Sequence, residues 1–145
     1  MVSAGRSGWL PPELLGGAEV VYDLHRDGGP LAGLEAALAA SRHDGLFVVA
    51  CDMPAVDAAV AGRLLRASAG HDAAVPLIAG RPQPMCAAYR RGAAAAVGAA
   101  LGTGRLQARG LLDDLDVAFV TDLDPDLFVN LNTPEDFIRF FAATR

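Results

Sequence analysis

The sequence predicts an α/β fold, a mostly parallel mixed sheet flanked by helices, in one domain over residues 1–145. Three observations point there. Short apolar runs of strand length recur, Leu46 to Cys51 being the clearest. They alternate with segments whose apolar residues return at helical spacing. Gly and Pro punctuate the junctions.

Taken in order, Met1 to Arg6 reads as the tail of a strand, and Ala18 to Asp23 as a short strand. Gly28-Gly29-Pro30 then turns the chain into a helix carried by Leu31, Leu34, Ala37 and Leu38, with Pro30 suited to the first turn. Leu46 to Cys51 is expected to be a buried parallel strand that delivers Asp52 to the carboxyl edge of the sheet. Ala58 to Ala69 has helical spacing through Val60, Leu64 and Leu65, and Gly70 stops it. Ala73 to Ala79 is the next strand, residues 80–84 a turn-rich connector, and Met85 to Tyr89 a returning, paired strand. Arg90 to Leu101 and Leu106 to Leu115 read as helices, Val117 to Thr121 as a strand. Pro134 to Ala143 closes the chain as an amphipathic helix, with Thr133-Pro134-Glu135-Asp136 forming a capping box.

Composition narrows the functional classes. At 145 residues, with 52% hydrophobic and 20% charged residues, the chain can bury a sizeable core. A net charge of -5 with no concentrated basic face argues against nucleic-acid binding. No apolar run reaches the length of about 18 residues that a membrane span needs, and no secretory signal is visible, so a cytoplasmic protein is expected. Cys51 and Cys86 stand far apart and are expected to be reduced and buried. Lys is absent, which denies this polypeptide any lysine ammonium for a phosphate.

Asp52 has two readings. It can cap the turn ahead of the next helix, or hold a divalent cation, since a hard carboxylate oxygen suits Mg²⁺ bridged to phosphates. Asp23 ends the preceding strand in the same way, ahead of a Gly28-Gly29-Pro30-Leu31-Ala32-Gly33 turn. Gly29 and Gly33 allow close backbone approach, and the free amides that open a helix attract anions, so a nucleotide or a plain strand-helix turn both fit. Asn130 and Asn132 lie two apart in an extended, apolar segment, so both side chains point one way, either toward a polar ligand or simply into a turn. Arg90 and Arg91 suit a phosphate less well than a solvated helix start, and His25, His43 and His71 sit in polar, loop-like surroundings.

The strings GGPLAGL at Gly28 to Leu34, VVACDMP at Val48 to Pro54, RPQPMCAAY at Arg81 to Tyr89 and FVNLNTPEDF at Phe128 to Phe137 together resemble the molybdenum cofactor guanylyltransferases, MobA-like nucleotidyltransferases. The resemblance implies a Rossmann-like domain that transfers GMP from GTP to molybdopterin with Mg²⁺. It implies that Asp52 is catalytic and contacts both the metal and GTP, that Asp23 contacts GTP, and that Ser3 stands beside the nucleotide. Gly29 and Gly33 then belong to the nucleotide side, and Asn130 and Asn132 to the acceptor side. A molybdoenzyme or a chaperone is the partner class implied.

Such enzymes open with a strand and a glycine-rich signature of the form LAGGxSxRMGxDK, which these 145 residues lack. A first strand, loop, helix and connection of about 45 to 50 residues is therefore expected upstream, with the first strand placed centrally between the Met1 strand and the Asp52 strand. The rival readings are a cytidylyltransferase of the same family, a noncatalytic domain that binds molybdopterin or a partner subunit, and an unstable product.

Overall fold

The structure is a computed structural model describing residues 1–4, 16, 18–25 and 28–143. Its strands form a two-stranded and a five-stranded sheet. β1 (Val2–Ala4) pairs with β2 (Val20–Tyr22) in parallel, Ser3 opposite Val21. β3 (Gly45–Val49), β4 (Ala73–Ile78), β5 (Arg81–Pro82), β6 (Cys86–Arg90) and β7 (Val117–Val120) make the larger sheet. There β6 lies between β3 and β4 and runs against both, β5 returns antiparallel to β4, and β7 joins β4 in parallel. The sheet is mixed, with β3, β4 and β7 sharing one direction.

Alternation along β4 and β6 builds a core on each face. Ala73, Val75, Ala87 and Tyr89 point to one side, against Leu31, Leu34 and Leu38 of α1 (Gly29–Ala40), Val97 and Leu101 of α3 (Ala94–Gly102), and Leu111 of α4 (Ala108–Leu111). Ala74, Cys86 and Ala88 point to the other, against Val60 and Leu64 of α2 (Ala58–Ala67), Met53 and Phe128. A last helix, α5 (Pro134–Ala143), leaves Phe137, Ile138 and Phe141 exposed.

Most elements fall where the periodicity places them, and the main differences are local. β3 ends at Val49 rather than Cys51, because residues 50–53 close a turn in which the Met53 N–H donates to the Ala50 carbonyl (3.2 Å). That strand is half-buried, with an exposed Val49, and pairs antiparallel with β6 instead of sitting inside a parallel ladder. The helix expected from Arg90 begins as a 3-10 turn at Arg91–Ala93, since Arg90 still belongs to β6. A Cβ on Gly92 in that turn would meet Asp72 Oδ1 at 2.7 Å, so the Asp72 carboxylate would have to shift. The Leu106 to Leu115 helix shrinks to α4 and a 3-10 turn at Leu112–Asp114.

Among the described residues no strand pairs with the outer edge of β3 or with the side of β1 away from β2. α1 packs on β1, β2 and β3 and so bridges the two sheets. A recess of about 390 Å³ collects Met1, Glu19, Gly45, Leu46 and Phe47. These are the starts of β1, β2 and β3, and the opposite, carboxyl ends of the parallel strands β1 and β2 form one edge.

Candidate functional site at the carboxyl edge of the strands

Ser3, Asp23 and Gly33 converge at that edge. Ser3 faces Val21 across the β1–β2 ladder, and Asp23, two residues beyond Val21, projects to the same side. The Ser3 hydroxyl donates to Asp23 Oδ1 at 2.6 Å. The second turn of α1 packs against this pair at Gly33, where a Cβ would come within 3.0 Å of Ser3 Oγ and 3.7 Å of Asp23 Oδ1. Gly29, the first residue of α1, has φ +57, a left-handed conformation that side-chain-bearing residues rarely adopt. Three of the five residues assigned to the nucleotide side are thus brought into one cluster, with Gly29 a turn away on the same helix and Asp52 in a separate turn.

Asp52 lies in the turn that follows β3. The Ala50 N–H donates to the Met85 carbonyl at 2.8 Å and anchors the start of that turn to the strand beside it. Helix α2 is capped by Asp57, whose carboxylate accepts from the Val60 N–H at 2.9 Å, so Asp52 is not the cap. Its Oδ1 is buried and has no hydrogen-bond partner among the described residues. A buried carboxylate oxygen without a donor costs free energy unless something else satisfies it.

The second candidate segment reaches the same turn. After a 3-10 turn at Pro125–Phe128, the Leu131 N–H donates to the Asp52 carbonyl at 2.8 Å. Asn130 and Asn132 flank this bond and are both exposed. The segment is not a strand, contrary to the reading that put Asn130 inside one: its backbone bonds the Asp52 turn and the cap of α5. Among the described residues no hydrogen bond joins the Ser3–Asp23 cluster to the Asp52 turn.

The donor set fits a hard divalent cation shared with a ligand. Mg²⁺ keeps several waters and is usually held by one or two carboxylates plus substrate phosphates. Asp52 offers one carboxylate with an unpartnered oxygen, and no group of three or more His, Cys, Asp or Glu side chains that could enclose a metal is found among the described residues.

Other candidates take structural places. Arg90 bonds Asp44 at 2.6 Å and the buried Ser68 hydroxyl at 3.0 Å, and Arg91 donates to the Ser41 carbonyl at 3.1 Å. His71 pairs with Asp116 at 3.1 Å and His25 approaches Glu35 at 3.3 Å. Cys51 is exposed in the acid turn, which corrects the expectation that both cysteines are buried; Cys86 is buried, and burial pushes its thiol up to about 12. Sequence reasoning missed Leu131, because a backbone amide leaves no residue-type signal. No helix among the described residues is long and apolar enough to cross a membrane.

The family description "MobA-like NTP transferase domain" matches residues 1–126. A protein of Pelotomaculum thermopropionicum named "Probable molybdenum cofactor guanylyltransferase" is 33% identical over 130 residues, covering 85% of this chain and 63% of its own length. One of the same name from Methanosarcina mazei is 36% identical over 124 residues, covering 79% of this chain and 55% of its own. "Molybdenum cofactor guanylyltransferase" of Desulfosudis oleivorans is 31% identical over 144 residues, covering 93% and 71%. The chain thus spans 63% and 55% of the first two of these relatives. Among solved structures, molybdopterin-guanine dinucleotide biosynthesis protein A from Archaeoglobus fulgidus superposes with a TM-score of 0.75 at 30% identity, over 88% of this chain and 69% of that one. With the family match running over residues 1–126 and a relative 31% identical over 71% of its own length, the chain belongs to the MobA-like NTP transferase family.

Proposed function

We propose that these residues form the acid-bearing and acceptor-binding part of a molybdenum cofactor guanylyltransferase, which transfers GMP from GTP to molybdopterin. The observation that carries the reading is the buried, unpartnered Oδ1 of Asp52 at the carboxyl edge, hydrogen-bonded through its own carbonyl to the Asn130–Asn132 segment. It is supported by the names of relatives at 31 to 36% identity.

In this reading Asp23 gives one carboxylate oxygen to Ser3 and keeps the other as an acceptor for a nucleoside N–H or ribose hydroxyl. Gly29 and Gly33 keep the start of α1 bare for the nucleotide. Asn130 and Asn132 offer amide donors and acceptors to the pterin edge. Asp52 aligns the two substrates, so that a phosphate oxygen of molybdopterin bonds to the α-phosphorus of GTP as the bond to pyrophosphate breaks. Bound Mg²⁺ would supply charge neutralisation on the phosphates. In the enzymes the strings resemble, a glycine-rich loop with a lysine cradles the triphosphate.

The test is transfer of label from α-labelled GTP to molybdopterin by a protein that carries such a loop ahead of these residues. Asp52→Ala is expected to abolish Mg²⁺-dependent transfer without unfolding the protein; retained turnover would remove Asp52 from the reaction. Transfer from CTP in place of GTP would assign the chain to cytidylyl transfer. A second reading is a domain that binds molybdopterin or a partner subunit without turnover. Molybdopterin binding by the 145-residue chain, with no transfer even when the loop is present, would establish it.

A further inference from the structure

The three consecutive backbone amides of residues 131–133 are all engaged. That of Leu131 donates to the Asp52 carbonyl at 2.8 Å. Those of Asn132 and Thr133 donate to one oxygen of Asp136, Oδ2, at 3.2 and 3.0 Å. Asp136 thus ties two peptide planes to the start of α5, directly beside the plane that is tied to the acid turn. On the helix side, Phe137, Ile138 and Phe141 stay exposed and do not anchor α5 in the core. The capping box accounts for the Thr133 bond, together with the Thr133 hydroxyl that accepts the Asp136 N–H at 3.1 Å, but it does not require the bond from the Asn132 N–H.

We infer that Asp136 is a positioning residue for the site: by holding the amides of Asn132 and Thr133 it fixes Asn132 and, through Leu131, the turn that presents the Asp52 carboxylate. The inference rests on the reading of Asp52 as the metal-holding acid. Nothing in Asp136 touches a substrate in this account. It acts by restricting where Asp52 and Asn132 point, the kind of support that keeps a carboxylate aimed at a cation.

The experiment compares Asp136→Ala, Asp136→Asn, Glu135→Ala and Asp52→Ala in the 145-residue chain. Amide exchange at Leu131 and Asn132 is followed by NMR, and binding of Mn²⁺ alone by electron paramagnetic resonance. Asp136→Ala keeps the Thr133 hydroxyl cap and is expected to fold. It should speed exchange of the Leu131 amide at least about tenfold and weaken Mn²⁺ binding by roughly three- to tenfold, small changes in position being costly at preorganised sites. Asp136→Asn loses the same charge but keeps an acceptor oxygen, and should restore most of both; Glu135→Ala should change neither. Wild-type exchange in Asp136→Ala, or equal loss in the Asn and Ala variants, overturns the inference. Mn²⁺ binding that survives Asp52→Ala unchanged overturns the metal reading instead, and the exchange data then still decide whether Asp136 holds the segment.

Discussion

Ser3 donates its hydroxyl to Asp23 across the ends of two parallel strands at 2.6 Å, and Gly33 is the helix residue that lets α1 pack against the pair. A methyl group at position 33 would stand 3.0 Å from Ser3 Oγ, so the serine must give by a few tenths of an ångström, which disturbs its bond to the aspartate. Alanine gains about 1 kcal/mol over glycine inside a helix, which offsets the lost hydrogen bond of about 0.5 to 1.5 kcal/mol. Gly33→Ala should therefore leave the urea midpoint nearly unchanged while weakening GTP binding about tenfold, a difference of roughly 1.4 kcal/mol in binding free energy. Parallel urea and nucleotide titrations check it.

Asp52 should be dispensable for folding. Its Oδ1 is buried with no donor, so replacing it by alanine removes an unsatisfied group instead of a bond. Stability of Asp52→Ala is expected to stay level or rise, by up to about 1 to 3 kcal/mol. A drop in the thermal midpoint would show that the carboxylate has a structural partner.

Tyr89 is the largest fully buried side chain, and its hydroxyl donates to the Pro84 carbonyl at 2.7 Å. Burial also raises its phenol, which keeps the donor proton in place throughout the working range. Tyr89→Phe leaves that carbonyl unpaired beside the β5–β6 connection and should cost about 1 to 2 kcal/mol in denaturant unfolding.

The two cysteines should separate cleanly. Cys51 is exposed beside Asp52, whereas burial pushes the Cys86 thiol up to about 12, leaving it protonated and sheltered at mildly alkaline pH. One thiol should react with Ellman's reagent in the native protein and two in guanidinium chloride. Fast native reaction of both would contradict the buried placement of Cys86.

Acid should loosen the segment that carries Asn130 and Asn132. The hydrogen bond from the Thr133 side is the main cause that holds the Asp136 carboxyl below its usual range. A carboxyl lowered in the folded state contributes stability that is complete above the unfolded value of about 4 and is lost as pH falls through the lower folded value. Unfolding midpoints should fall over that acid window in the wild type, and less steeply in Asp136→Asn.

Much of the architecture was legible because local rules and the tertiary fold agree. Pro30 in the first turn of α1, Gly70 after α2 and the Thr133–Asp136 box all act where the residue types say they should. β3 was misread where burial depends on neighbours: an apolar run looks alike in a central parallel strand and in a half-covered edge strand paired with β6. Asn130 was read as part of a strand for the same reason, since extended backbone in a loop and in a ladder share one pattern.

What the amino-acid order determined by itself was the succession of strands and helices, the placing of Asp23 and Asp52 just beyond strand ends, and the family to which these belong. Only the tertiary structure decided that Ser3 and Asp23 meet across a ladder and that Leu131 closes on the Asp52 turn. The physical reason is range. Periodicity and caps are written in side chains a few residues apart, whereas these contacts join segments 20 or more positions apart, and the last is carried by backbone amides common to almost every residue type.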